Sequence, residues 1–101
     1  MSDLAFGAKQ PYEEYYVEFD FVNDMDENDT IASTEVVVMD GVNDVTDVLT
    51  DFSRQLISDT RVSVWIMGGV TGTTYVITCK ITTSVLAELY ECEANLLVQE
   101  T

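Results

Sequence analysis

Thr74-Tyr75-Val76-Ile77-Thr78-Cys79-Lys80-Ile81-Thr82-Thr83 and Glu88-Leu89-Tyr90-Glu91-Cys92-Glu93-Ala94-Asn95-Leu96-Leu97-Val98 are the two runs whose pairing decides the fold. Each alternates between two faces, as a strand does. With residues 84–87 as the connecting loop, residues whose numbers sum to 171 face each other. Tyr75 then meets Leu96, Ile77 meets Ala94, Cys79 meets Cys92 and Ile81 meets Tyr90. That is a core face. On the other face Lys80 meets Glu91 and Thr78 meets Glu93. A slip of one residue would turn Glu91 and Glu93 into the core, so the register is strongly specified.

Upstream, the same alternation recurs. Tyr15, Val17, Phe19 and Phe21 share one face, with Tyr16, Glu18, Asp20 and Val22 on the other. An acidic turn, residues 23–30, leads to a strand over 31–39, which stops at Asp40-Gly41. Residues 60–67 form another strand, with Val62, Val64 and Ile66 on one side and Arg61, Ser63, Trp65 and Met67 on the other. Gly68-Gly69 ends it. Between these lie residues 44–57, where Val45, Leu49, Phe52 and Leu56 roughly follow helical spacing. The valines, threonines and phenylalanine suit a sheet better, so strands are expected over 45–49 and 52–57, either two short ones or one with a break near Asp51. Residues 1–14 read as a flexible tail, or as an arm that orders against a neighbouring subunit. The expected architecture is one all-β domain over residues 15–101, an antiparallel sandwich of about seven strands.

The chain carries 19 acidic residues and 4 basic ones, a net charge of −15 over 101 residues, with a hydrophobic fraction of 47%. The charge alone suits a solvated chain; the apolar content in β-rich runs means that it folds. Lys9, Arg54, Arg61 and Lys80 make no basic surface, which argues against nucleic acid and against anionic membranes. Basic protein surfaces and cations are the electrostatic partners that remain. No stretch is long and apolar enough for a transmembrane helix. The N-terminus lacks a basic leader and a long apolar run, so synthesis and folding in a cytoplasm are expected.

Cys79 and Cys92 are expected as buried thiols; two cysteines without histidine fall short of structural zinc. The sharpest ligand candidate is the acidic turn. Asp24, Asp26, Asn28 and Glu35 occupy positions one, three, five and twelve of a calcium loop. Asp29 stands where that loop needs glycine, and the flanks are strands rather than helices. Calcium is therefore a weak candidate, and no other cofactor is expected. The absence of histidine and of serine-elbow, HExxH or Walker motifs argues against an enzyme. Trp65, Met67 and Tyr16 lie on strand faces opposite the apolar ones. They are candidates for a protein interface, against the alternative of local cover by neighbouring strands.

Residues 62–72, Val-Ser-Val-Trp-Ile-Met-Gly-Gly-Val-Thr-Gly, followed by Thr74-Tyr75 and Thr82-Thr83, resemble a family of small phage-encoded β domains. The entry Asp29-Thr30-Ile31-Ala32-Ser33 fits the same pattern. The likeness spans about residues 15–99. It departs from the common pattern in its heavy acidic loading, at Ile57-Ser58-Asp59, and at Lys80, where arginine is frequent. Members resemble immunoglobulin-like sandwiches encoded among tailed-phage structural genes. This implies an immunoglobulin-like fold and a non-enzymatic virion protein without catalytic residues. The expected role is a capsid decoration or head-fibre-base protein bound to phage structural proteins such as the major capsid protein. Homo-oligomers are compatible with it. A neck, tail or baseplate adaptor is the nearest alternative, and a calcium-dependent binding module is an alternative of another class.

Overall fold

A computed structural model describes residues 4–5 and 8–100. The chain is an all-β sandwich. Its strands are β1 (Leu4–Ala5), β2 (Tyr15–Asp20), β3 (Ile31–Met39), β4 (Leu56–Ile57), β5 (Arg61–Ile66), β6 (Thr73–Thr83) and β7 (Leu89–Val98). One sheet has the order β2-β5-β4, and the other β1-β7-β6-β3. All pairings are antiparallel except that of β1, a two-residue strand that lies parallel to β7. Two antiparallel three-stranded sheets thus form the body, and β1 extends one of them.

The β6–β7 hairpin has the register that its alternation requires. Tyr75 pairs with Leu96, Ile77 with Ala94, Cys79 with Cys92, Lys80 with Glu91 and Ile81 with Tyr90. Tyr75, Ile77, Cys79, Ile81, Cys92, Ala94 and Leu96 are buried in the core. From the facing sheet Val17, Phe19, Val62, Val64 and Ile66 fill the same core, with Phe21 closing one end. Cys79 and Cys92 are both thiols.

The expected strands over 45–49 and 52–57 require correction. Thr46–Leu49 is one turn of α-helix, α1, and Phe52–Arg54 a turn of 3₁₀ helix; of the expected strands only Leu56–Ile57 pairs as one. The cause is local. Asp44 Oδ1 accepts hydrogen bonds from the Thr46 N–H and hydroxyl, and Asp51 Oδ1 from those of Ser53. Each Asp-x-Thr/Ser step folds the chain into a turn before a ladder can form. Leu49, four residues after Val45, then drops into the core.

Residues 8–14 run along the body. The Lys9 N–H donates to Leu97 O, the Gln99 N–H donates to Lys9 O, and the Lys9 side chain is buried. Its ammonium donates to Gln10 O at 2.9 Å and to Gly68 O at 2.6 Å. Burial lowers its pKa against the opposing pull of Glu13 and Glu14. Residues 1–3 and 6–7 of the segment read as an arm lie outside the described residues. Beside Gly68, Gly69 has φ +106°, and a Cβ there would stand 2.6 Å from Val98 Cγ2. Only glycine lets this turn lie against β7.

Candidate interaction surfaces

Three connections meet at one end of the sandwich. The Phe21 N–H donates to Thr60 O, the Ile31 N–H to Asp59 O and the Ser84 N–H to Thr30 O. These bonds join residues 21–30, 58–60 and 84–88. Asp29 lies at their centre with only 4% of its surface exposed. Its carboxylate accepts from the N–H groups of Thr30 and Val85, both at 2.8 Å, and of Leu86 at 3.0 Å. Burial alone would raise its pKa. The bonds from Val85, Leu86, Thr30 and the Thr83 hydroxyl outweigh that and hold it down at about 2. Thr83 Oγ1 in turn accepts from the Glu88 N–H at 2.8 Å, and Ala87 turns the chain with φ 54°. The hairpin tip is therefore fixed from both ends. What it presents outward is apolar: Val85 is 72% exposed, Leu86 54% and Leu89 76%. A groove of about 480 Å³ adjoins it on the outer face of the larger sheet, lined by Glu35, Lys80, Thr82, Leu89, Tyr90 and Glu91 among others.

A second surface lies on the outer face of the β2-β5-β4 sheet. Tyr16 and Trp65 are cross-strand partners, their rings edge to face with centroids 4.9 Å apart. The Arg54 guanidinium covers the indole at 4.6 Å, and the Tyr16 hydroxyl donates to Arg54 O at 2.8 Å. The Trp65 N–H donates to Glu14 Oε1 at 3.2 Å. Trp65 thus receives local cover, in the geometry aromatic pairs and guanidinium stacks prefer. Tyr16 stays 42% exposed and Met67, next on that face, half-buried.

Three of the four residues of the calcium pattern share the turn before β3, and the fourth lies in β3 itself. Asp26 Oδ1 accepts from the Asn28 N–H at 3.0 Å within the turn. Asp24 follows Phe21 in a turn closed by backbone bonds. Glu35 lies within β3, opposite Lys80 and 4.0 Å from its ammonium. Among the described residues, no group of three acidic, histidine or cysteine side chains is arranged to hold a metal. The Cys79 thiol is in the core and burial pushes its pKa up to about 11, which suits packing rather than nucleophilic chemistry.

The sequence pattern does not mark Val85, Leu86 and Leu89 as a site, and it marks Asp29 as the residue that spoils a calcium loop and as the start of the Asp-Thr-Ile-Ala-Ser entry. The available signals were two adjacent apolar residues in a turn, and an aspartate opening the Asp-Thr-Ile-Ala-Ser entry to β3.

A family model described as podophage GP4 fiber-tail adaptor protein gp77 matches residues 9–89. The chain belongs to this family. It is accordingly a phage structural protein and a component of the virion, in a family of structural adaptors rather than of enzymes. The match to the fiber-tail adaptor family takes in both surfaces: Glu14, Tyr16, Arg54 and Trp65 on the sheet face, and the whole tip from Phe21 to Leu89. No curated protein and no solved structure matches the chain. Among the described residues, no helix is long and apolar enough to cross a membrane.

Proposed function

We propose that this protein is a non-enzymatic adaptor that joins fiber to tail in a podophage virion. The family match over residues 9–89 carries the reading. It favours the adaptor over capsid decoration, the other role compatible with a phage structural protein. The shape is suited to the task. A joint must hold two neighbours, and this sandwich offers a fixed apolar tip at one end and an aromatic–arginine patch on a sheet face. The tip is a loop held by hydrogen bonds at both ends, and Tyr16 and Trp65 stand on paired strands, so both surfaces are firmly placed. The partners would be other structural proteins of the particle.

The strand order supports an immunoglobulin-like reading of the fold. The sheets β2-β5-β4 and β3-β6-β7 reproduce the order of a constant-type immunoglobulin sandwich, with β1 transferred to the second sheet. The fold does not decide the role; the site in the particle does. Electron microscopy of the intact virion tests it. The expected result is density for this sandwich between tail and fiber, with filled heads lacking fibers when the gene is deleted. Density distributed over the capsid shell would overturn the adaptor reading in favour of decoration.

A further inference from the structure

We infer that the hairpin tip formed by Val85, Leu86 and Leu89 is the surface by which this protein docks onto a basic virion protein. The inference rests on the adaptor reading for the setting, but its physical basis is separate. Exposed apolar side chains in a turn are ordinarily tolerated only when they are scattered. Here three lie within five residues, and the backbone that carries them is locked. A nearly buried carboxylate accepts from both the Val85 and Leu86 N–H groups, and Thr83 fixes the far side of the loop through Glu88. A loop fixed in this way has lost its freedom before any partner arrives, so little ordering entropy is lost on contact. Rigid apolar anchors at the centre of a patch are what dominate interface energies.

The charge around the tip selects the occupant. Glu88, which accepts from the Tyr90 hydroxyl at 3.0 Å, lies in the loop itself, Asp29 is bonded to it, and the acidic connection with Asp24, Asp26 and Glu27 meets it through the Ser84–Thr30 bond. In the adjoining groove Glu35 and Glu91 flank Lys80, each 4.0 Å from its ammonium, which leaves an excess of negative charge there too. A second copy of this chain would bring one acidic tip against another, and the whole protein carries −15. Like charges across an interface suppress such pairing. The partner that fits has an apolar socket bordered by lysine or arginine.

The test uses the assembled particle. A photoreactive benzoylphenylalanine in place of Leu86 is incorporated into virions, irradiated, and the joined peptides are identified by mass spectrometry. The expected product links residue 86 to a different structural protein, at a segment with apolar residues next to lysine or arginine. A link to a second copy of this chain, or no link, overturns the proposal. A link to a shell protein would keep the docking surface and defeat the fiber-tail adaptor role, so the two readings fail separately. In parallel, V85S/L86S is supplied to a phage lacking the gene. Loss of two anchors is expected to lower the copies per particle by roughly tenfold or more, with the melting temperature of the free protein unchanged. Loading equal to wild type overturns the proposal. V70S, an exposed change at the opposite end of the sandwich, is expected to load normally.

Discussion

Asp29 couples two parts of the chain that are far apart in sequence, the entry to β3 and the β6–β7 loop. Its pKa near 2 lies below the value of about 3.9 for a free aspartate. The folded state therefore favours the ionised form. Its contribution to stability is complete above the unfolded pKa and disappears as pH falls through the folded one. Asp29→Asn keeps the shape but loses the charge and one acceptor oxygen. We expect D29N to melt at lower temperature than wild type at pH 7. The gap between the two should narrow as pH is taken from about 4 to about 2. Thermal melts across that range measure it; a gap independent of pH would show that the carboxylate is not held in its charged form.

At the scale of elements, the connection between β3 and β4 depends on one hydroxyl. Thr46 Oγ1 donates to Asp44 Oδ1 and accepts from the Val38 N–H at 2.9 Å, in a buried position. Thr46→Ala would leave the Val38 N–H without that acceptor, and is expected to cost about 1–3 kcal/mol in urea unfolding. Thr46→Ser, which retains the hydroxyl, should recover most of the loss. This connection also marks where the sequence ceased to be legible. The β6–β7 hairpin could be read because ten consecutive pairs all agree with one register. Its Cys79–Cys92 and Lys80–Glu91 pairs each test the same register. Residues 44–57 contain no such redundancy. Valine and leucine serve a helical turn or a short strand equally, and the deciding groups were Asp44 with Thr46 and Asp51 with Ser53. The Trp65 patch was half legible: alternation placed Trp65 and Tyr16 outside the core. The Arg54 that covers Trp65 is eleven residues away, in the segment whose conformation was misread. The tip was not legible, because pattern alone does not reveal that Asp29 reaches across to Val85 and Leu86.

For the molecule as a whole, charge acts in opposite directions on folding and on docking. The −15 of the free protein repels itself, and only four basic side chains offset it. Arg61 lies 3.2 Å from Asp20, and Lys80 stands between two glutamates, but these pairs are exposed and contribute little. Added salt screens the repulsion within a Debye length of about 10 Å at 0.1 M. The melting temperature of the isolated protein is therefore expected to rise as sodium chloride goes from about 0.01 to 0.3 M. An acidic tip seated on a basic socket loses attraction over the same interval, and the loss falls mainly on the rate of encounter. Loading of purified protein onto particles that lack it should thus slow with salt while the fold grows more stable. Asp24→Lys, in the acidic connection that meets the tip, should slow loading at low salt and reduce its salt dependence. Loading that quickened with salt in step with the melting temperature would mean that the apolar anchors act without electrostatic guidance, and that the partner's surface is not basic.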